Sequence, residues 1–441
     1  MLRLIAAGDS MITRRLSPSR DRAFLDLVNL IRSADAAFTN FEMGCPRDPL
    51  MPNVNHPSAF QYSKPFVLDE LKWCGFNLIG AGNNHIGDYG PKGLMDTLEE
   101  IEARGLVTAG AGASLGEARA PGYLDTAGGR LALLAASSTN VEHGMALARR
   151  SDMDGRPGVN PLRFEVSYYL DEARYRALVD IDQALGTAAT TRHRQEFSAL
   201  HGRSNPDALS FLGANFFRGD TCRVSTRPRA ADLDALLRGI GAARRQADLV
   251  VVSLHAHEGP ANDLNSDTPA DFIVEAARRA IEAGADAVLG TGPHMLRRIE
   301  IHQGKPIFLS LGSFVFQIET VQRQPAAAYE KHGLGPDCLP PDVTDAVGAV
   351  REGPPRGFWD RRMWTSVVAD CRFEEGRLRS LELHPIDLGM ELPRHVRGAP
   401  VLASAERGEE VLQGLAALCR ESGVEITTER AGDRVVGRLR L

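Results

Sequence analysis

The stretch VVVSLHAHEG, residues 250–259, joins a predicted buried strand to two histidines at its carboxyl end. Its first five residues are apolar or small, which is typical of a strand covered on both faces. His255 and His257 follow two positions apart, and side chains at i and i+2 of a strand point to the same face. The sequence therefore predicts that two imidazoles leave one face of a strand end, and we expect at least His255 to bind a metal ion.

Strand and helix patterns alternate along the first third of the chain. The segments LRLIAAG (2–8), AAFTNFE (36–42) and FNLIGAG (76–82) are short apolar runs typical of buried strands. Helical apolar spacing occurs in DRAFLDLVNLIRSA (21–34) and in the glycine-bounded GPKGLMDTLEEIEARG (90–105). Strands separated by helices of this length predict βαβ units and a largely parallel sheet. The expected fold class is α/β, with a layered sheet core flanked by helices.

Insertions and a C-terminal extension are predicted around this core. We expect a catalytic domain over 1–317, with an insertion at about 163–229 that begins as a long polar helix and continues as a loop. Residues 318–361 are irregular and rich in proline, which is typical of a lid or binding segment. Residues 362–441 predict hairpins and a helix that complete the same domain.

Composition and charge exclude several classes of protein. The 441 residues carry a net charge of −6, and the arginines are spread along the chain, which argues against nucleic acid as a partner. No apolar run reaches the about 18 residues of a transmembrane helix, and the first apolar run meets Asp9 too early for a secretory signal. The six cysteines are far apart, so neither a zinc ribbon nor a disulfide framework is indicated. We expect a cytoplasmic protein without membrane contact.

Polar side chains cluster where the apolar runs stop. Five strand-like runs end close to a carboxylate, amide or imidazole: Asp9, Glu42, Asn84, His255 and His294. In open α/β sheets, sites lie outside the carboxyl ends of the strands, so these residues converge if the five strands share one sheet. Carboxylate oxygens and imidazole nitrogens suit Zn, Mn, Fe or Ni. The pattern predicts a metal site at one edge of the sheet.

Several motifs together resemble the CapA-like proteins, a family named for poly-γ-glutamate capsule synthesis and similar in fold to the calcineurin-like metallophosphoesterases. The motifs span about three-quarters of the chain and occur in the family's order and approximate spacing: GDSMITR (8–14), NFE (40–42), NNHIGDYG (83–90), SLHAHEG (253–259), GADAVLGTGPH (284–294) and GKPIFLSLGSFVFQ (304–317). The expected architecture is therefore a metallophosphoesterase-like layered core.

The resemblance implies a centre of two divalent metal ions. Asp9 would be the bridging carboxylate, and the further ligands would be Glu42, Asn84, His255 and His294. His85, next to Asn84, would act as an acid or base beside the ligands. The residues do not distinguish Mn, Zn, Fe, Ni or Ca.

This sequence also departs from the family pattern. Metallophosphoesterases usually open with an Asp-x-His pair, whereas Met11 stands two residues after Asp9. Many CapA-like chains carry histidine where Thr291 stands, and some carry one where Gly292 stands. One metal subsite is therefore poorer in imidazole than in an ordinary phosphatase. His257 compensates for this loss if it faces the same way as His255.

The expected substrate is a peptide or a small acidic molecule. Arg14, His257 and Glu258 are the candidate substrate-binding residues, because they accompany the predicted ligands in the motifs. Arginine binds anionic groups through paired hydrogen bonds. The sequence does not indicate an oligomeric state.

Three functions fit these residues. The first is a cytosolic peptide epimerase that inverts a Cα next to a carbonyl or carboxylate, as do the lasso-peptide epimerases that resemble CapA-like proteins. Its proton-transfer groups would be His294 and either Asp9 or His85. The second is a dinuclear-metal hydrolase of phosphoester or amide bonds, with His85 protonating the leaving group. The third is a peptide-binding accessory protein without catalysis. We rank the epimerase first because Met11 replaces the expected histidine and no anchor is evident.

Overall fold

The computed structural model describes residues 1–54, 60–139, 141–197, 207–348 and 359–440. The strands in chain order are β1 Leu2–Met11, β2 Ala36–Asn40, β3 Leu78–Gly80, β4 Val107–Ala109, β5 Ala111–Gly112, β6 Gly122–Thr126, β7 Gly129–Ser137, β8 Gly158–Val159, β9 Phe164–Leu170, β10 Leu209–Phe211, β11 Ala214–Arg218, β12 Arg223–Pro228, β13 Leu249–His255, β14 Ala287–Thr291, β15 Ile299–His302, β16 Lys305–Phe308, β17 Ser313–Phe316, β18 Thr365–Glu374, β19 Arg377–Asp387, β20 Val401–Leu402, β21 Ile426–Ala431 and β22 Arg434–Leu439.

Helices alternate with these strands through most of the chain. They are α1 Arg22–Arg32, α2 Phe66–Cys74, α3 Gly90–Glu102, α4 Leu115–Ala118, α5 Val141–Gly144, α6 Glu172–Leu185, α7 Thr187–Phe197, α8 Ala230–Arg244, α9 Asp271–Glu282, α10 Ala326–Lys331, α11 Pro340–Gly348 and α12 Ala405–Leu418. None of the described helices has both the length and the apolar character required to cross a bilayer.

Two large sheets form the core. The first has ten strands in the order β21-β22-β19-β18-β1-β2-β3-β4, with β17 also pairing with β1 and β20 with β19. The second has six strands in the order β15-β16-β14-β13-β7-β6. Strands β1 to β4 are parallel to one another, and so are β7, β13, β14 and β16. The predicted α/β class is confirmed, but the strands that carry the candidate ligands belong to two sheets rather than one.

The sheets pack face to face between two layers of helices. Leu4 and Phe38 of the ten-stranded sheet share one buried cluster with Leu133 and Val251 of the six-stranded sheet. The other face of the first sheet packs with α1 and α2, and the other face of the second packs with α8 and α9. Strands covered on both faces are expected to read as continuous apolar runs. This burial explains why β1 and β13 lack the alternating pattern of a half-exposed strand.

The insertion after residue 163 is more regular than its sequence suggested. Residues 164–170, predicted as the start of a helix, form β9 instead, and the helix begins at Glu172 after the cap Asp171. Residues predicted as a loop contribute α7 and β10 to β12, and the four strands pair in the order β10-β11-β9-β12. The β-branched and aromatic residues of FEVSYYL favour a strand, so the helical prediction for this segment is wrong.

The C-terminal region joins the first sheet directly. Strand β18 pairs antiparallel with β1, and β19 pairs with β18 around the turn at Glu375 and Gly376, as the hairpin pattern predicts. The segment 318–361, predicted to be irregular, contains α10 and α11, while residues 349–358 lie outside the described part. Its role as a lid or binding segment stays a prediction.

A close backbone contact holds the end of β1 against the start of β17. Asp9 donates its backbone N–H to the carbonyl oxygen of Gly312 at 2.9 Å. A Cβ added at Gly8 would lie 1.8 Å from that same oxygen. Only glycine allows this approach without moving one of the two strands. The position of Asp9 therefore depends on the missing side chain at residue 8.

We expect Gly8→Ala to lower the free energy of unfolding by about 1–3 kcal/mol, because the added methyl overpacks a rigid backbone contact. Gly241→Ala is the matched control, since it lies within α8 with no atom within 4 Å of the added Cβ. It should stabilise the chain by about 0.5–1 kcal/mol through helix propensity. Thermal and urea unfolding of both variants checks this. Equal stability of Gly8→Ala and the wild type would contradict it.

Candidate metal centre

The predicted ligands converge where the carboxyl ends of the two sets of parallel strands meet. Asp9 lies in β1, while Glu42 and Asn84 follow β2 and β3; His255 ends β13, and His294 follows β14. Glu42 Oε1 is 3.5 Å from His255 Nε2, and Glu42 Oε2 is 3.7 Å from His294 Nδ1. Asp9 Oδ2 is 3.5 Å from His294 Nδ1. The structure therefore brings together predicted ligands that are up to 285 positions apart in the sequence.

Glu42 belongs to two groups of side chains that could each hold a cation. One group is Asp9, Glu42 and His294, and the other is Glu42, His255 and His257; within each group the ligand atoms lie within 4.8 Å of one another. The sequence interpretation gave the bridging position to Asp9, whereas in the structure the carboxylate common to both groups is Glu42. His257, predicted to contact substrate, belongs to the second of these groups.

Asn84 adds an amide oxygen to the second group. Its Oδ1 is 2.7 Å from His255 Nε2, the same nitrogen that faces Glu42. Carboxylate and amide oxygens with imidazole nitrogens form a mixed donor set that suits Zn, Mn, Fe or Ni. Asn84 Oδ1 and Glu42 Oε1 thus both face His255 Nε2, at 2.7 and 3.5 Å.

The carboxylate of Glu42 gives the clearest sign of a cation site. The residue is fully buried, and neither carboxylate oxygen has a hydrogen-bond partner in the part of the chain that the structure describes. Burial raises the pKa of Glu42 well above 4.5, and the charges of Asp9 and Asp88 add to the shift although His294 opposes it. A buried, unsatisfied carboxylate is costly unless a cation or donor compensates it. The residues present therefore fit a bound divalent ion.

Asp9, in contrast, is well satisfied within the protein. Its Oδ1 accepts from Asn40 Nδ2 at 2.7 Å, and its Oδ2 accepts from the backbone N–H of Gly292 at 2.9 Å. Burial raises the pKa of Asp9, but the hydrogen bond and charge of His294 together with the charge of His255 lower it to about 2. Asp9 is therefore ionised at any physiological pH and available to a cation.

His255 is held in a form that suits metal binding. The residue is 1% exposed, and burial lowers the pKa of His255 well below 6.5. Its Nδ1 lies 3.0 Å from the hydroxyl of Thr291, at the end of the neighbouring strand. A hydrogen bond at one ring nitrogen fixes the orientation of the other, which here is the Nε2 that faces Glu42 and Asn84.

His294 occupies an unusual backbone conformation. Its φ is 59°, in the left-handed region that few residues other than glycine adopt. Nδ1 faces Asp9 and Glu42, and the ring lies 5.6 Å from the ring of Phe316. Residues held in such conformations concentrate at functional sites. The position of His294 fits the proposed ligand role.

His85 lies beside the metal groups in a pair with Asp88. Its Nδ1 is 2.9 Å from Asp88 Oδ2, and its Nε2 is 4.0 Å from Glu42 Oε1. Both residues are buried. The sequence reasoning proposed His85 as an acid or base but missed Asp88, although the His-x-x-Asp spacing within NNHIGDYG was visible. One carboxylate thus orients an imidazole toward the candidate centre.

Arg14 and Glu258, the other two residues predicted to bind substrate, have different hydrogen-bond partners. The guanidinium of Arg14 donates to the backbone oxygens of Val396 and Arg397, while its buried Nε has no hydrogen-bond partner. The carboxylate of Glu258 accepts from Ser138 Oγ at 2.7 Å and Thr139 Oγ1 at 3.0 Å. Glu258 is thus engaged inside the protein, whereas the Nε of Arg14 lacks a hydrogen-bond partner among the described residues.

A third group of possible ligands lies apart from the centre, on β18 and β19. Asp370, Glu382 and His384 also bring their ligand atoms within 4.8 Å of one another. Both oxygens of Asp370 accept from Arg3, at 2.9 and 2.8 Å. Because the guanidinium already neutralises this carboxylate, the group does not carry the signature seen at Glu42.

Comparisons with known proteins show the family to which the chain belongs. Residues 3–318 match the family described as bacterial capsule synthesis protein PGA_cap. The uncharacterized protein y4sH of Sinorhizobium fredii is 34% identical, over 99% of this chain and 93% of its own length. The PGA biosynthesis protein CapA of Bacillus subtilis is 26% identical over 78% of this chain and 72% of its own. A probable polyglutamine synthesis accessory protein of Mycobacterium tuberculosis is 28% identical over 56% and 46%.

The chain is a member of the CapA-like class, as the motifs predicted. More particularly, it belongs to the PGA_cap family of bacterial capsule synthesis proteins, because the match extends over most of its length. The candidate ligands from Asp9 to His294 all lie inside the matched region.

We expect Glu42→Gln to stabilise the metal-free protein by about 1–3 kcal/mol at neutral pH, because it removes a buried charge without a partner. The raised pKa means that the folded state binds this proton more tightly than the unfolded state. The contribution of Glu42 to the free energy of unfolding is therefore fully present below pH 4.5 and is lost as the pH rises toward the pKa of the folded state. The stability difference between Glu42→Gln and the wild type should accordingly grow with pH. Thermal unfolding in chelator at several pH values measures it.

The control for this substitution is Glu300→Gln. Glu300 is also buried, but it pairs with Arg278 at 2.8 Å and Arg298 at 3.0 Å, so its neutralisation should destabilise the chain. Divalent ions should raise the unfolding temperature of the wild type and of Glu300→Gln, but much less that of Glu42→Gln. An equal rise in all three proteins would argue against metal binding at Glu42.

Proposed function

We propose that this protein is a metal-dependent hydrolase of phosphoester or amide bonds in an acidic or peptide-like substrate. The observation that carries the proposal is the His85–Asp88 pair, which directs an imidazole nitrogen to within 4.0 Å of the shared Glu42. A hydrolase needs one proton donor for the leaving group beside a cation site, and this arrangement supplies both.

Each residue has a separate task in this proposal. Divalent ions at the centre would supply Lewis acidity for a carbonyl or phosphoryl oxygen and lower the pKa of water. Asp9 and Glu42 provide the negative charge that holds the cations. Asp88 accepts a hydrogen bond from Nδ1–H of His85 and stabilises the protonated imidazole, so that Nε2–H can donate its proton to the departing oxygen or nitrogen.

The substrate class follows from charge and from the relatives. The buried Nε of Arg14 has no hydrogen-bond partner among the described residues, and a carboxylate or phosphate would supply an acceptor for it. The names of two relatives refer to the biosynthesis of PGA and to polyglutamine synthesis. A substrate with glutamyl side chains or a related acidic group is therefore the best starting point for assays.

The epimerase remains the second candidate, but the structure weakens one of its arguments. The sequence favours the epimerase because Met11 replaces a histidine of the phosphatases. In the structure, however, His257 places an additional imidazole near Glu42, at 3.6 Å. Inversion also needs a second proton-transfer group opposite His85. His294, the sequence candidate for that task, directs Nδ1 at Asp9 and Glu42, as a metal ligand would.

We expect His85→Gln to lower kcat by about 10²- to 10⁴-fold, because it removes the proton donor. Metal content should stay the same, since His85 is outside both ligand groups. Asp88→Asn should lower kcat by a smaller factor, about 10–100-fold, by releasing the imidazole. Asn84→Ala serves for comparison and should reduce metal affinity together with activity. Full activity of His85→Gln would exclude the proposed acid.

A panel of an aryl phosphate and short glutamate-rich peptides in deuterated buffer distinguishes the candidate reactions. We expect phosphate or new peptide termini, with no gain in mass at any Cα of uncleaved substrate. Deuterium at a Cα without cleavage would favour the epimerase instead. Tight binding of peptide and metal with neither product would favour an accessory protein.

A further inference from the structure

The loop that follows β13, residues 256–266, is held firmly from one side by Arg297. This arginine is fully buried, and its guanidinium offers five N–H donors in one plane. It donates at 2.9–3.1 Å to the backbone oxygens of four residues of the loop: Ala256, His257, Glu258 and Ser266. So many contacts to one short segment indicate that the backbone around His257 has a fixed position.

Asn265, in the same loop, holds the ring of His257. Its side-chain oxygen accepts a hydrogen bond from His257 Nδ1 at 2.8 Å, and its backbone N–H donates to His257 O at 3.1 Å. The φ of Asn265 is 59°, a left-handed conformation that asparagine tolerates better than most residues. With Nδ1 as donor, Nε2 of His257 keeps its lone pair.

That lone pair faces the other candidate ligands of the subsite. His257 Nε2 lies 3.2 Å from His255 Nε2 and 3.6 Å from Glu42 Oε1, and Asn84 Oδ1 is 2.7 Å from the same His255 nitrogen. Carboxylate and amide oxygens carry no proton of their own to share. A cation between these atoms would accept lone pairs from both imidazole nitrogens and from the two oxygens, which is the mixed donor set that divalent transition metals prefer.

Gly292 leaves the space in which His257 stands. A Cβ at residue 292 would lie 3.0 Å from His257 Cδ2 and 3.0 Å from the backbone of Ala256. The φ of Gly292 is +119°, which also disfavours any other residue. The absence of a side chain at residue 292 therefore makes room for the imidazole of His257.

We propose that His257 is a metal ligand of the subsite formed by Glu42, His255 and Asn84, and that Asn265 is the residue that positions it. The inference rests on the metal centre of the proposed function but not on the reaction. The ligand role also gives a reason for the glycine at residue 292, because a side chain there would crowd the imidazole of His257.

The test is titration of the chelator-treated full chain with Co²⁺, followed by calorimetry and by the visible absorption of the bound ion. The wild type should bind two ions, one for each group of ligands. His257→Gln should remove or strongly weaken one of them and change its absorption. Asn265→Gly, which suits the left-handed backbone, should weaken the same ion by about 10–100-fold.

Two further variants complete the experiment. Asn265→Asp keeps an acceptor for Nδ1 and should bind within a few-fold of the wild type. His302→Gln changes a histidine that pairs with Glu282 away from the centre, and it should leave both ions unchanged. Unfolding temperatures of all variants, measured without metal, show that the chain still folds.

The outcomes separate this inference from the proposed function. Two ions of wild-type affinity and spectrum in His257→Gln would overturn the ligand role, and an unchanged Asn265→Gly would overturn the positioning role. A wild type that binds fewer than two ions would overturn the shared centre as well. If metal binding behaves as expected but no substrate is hydrolysed, the inference stands and the proposed reaction fails.

Discussion

A buried carboxylate without a hydrogen bond is the constraint on which the centre depends. Glu42 sits at zero exposure among imidazoles and beside the ionised Asp9, with both oxygens unsatisfied. In a folded protein such a group is destabilising unless positive charge compensates it. Asp9 and His255 have other hydrogen-bond partners, whereas Glu42 has none among the described residues. The arrangement therefore fits a cation, which would compensate the buried charge.

The fold makes this possible because two sheets end at the same place. Strands β1 to β3 bring Asp9, Glu42 and Asn84 from one sheet, while β13 and β14 bring His255 and His294 from the other. The inter-sheet core is apolar, and polar side chains begin where the strands stop. Carboxylates and imidazoles therefore meet without interrupting the packing between the sheets.

Sequence patterns predicted the strand ends and their residue types, but not how the strands associate. Apolar runs that end in a polar residue are local signals, so Asp9 and His255 could be identified from them. Which strands share a sheet depends on pairings between distant segments, such as β1 with β18, that no local pattern records. The same limit hid the role of Glu42 as the shared carboxylate, whereas the partner of His85, Asp88, is a local His-x-x-Asp signal that the sequence interpretation missed. In the insertion, FEVSYYL forms β9 although the pattern predicts a helix, because a segment this short fits either periodicity.

The region beyond the family match also supports the centre. The match ends at residue 318, yet β18 continues the sheet on the other side of β1, the strand that carries Asp9. Trp364, just before β18, packs its ring 5.1 Å from Phe316, whose ring lies 5.6 Å from His294. The Sinorhizobium relative aligns over 99% of the chain and the Bacillus protein over 78%. Because Trp364 packs on Phe316 and Phe316 packs on His294, sequence differences beyond residue 318 can alter the site even where the candidate ligands are the same.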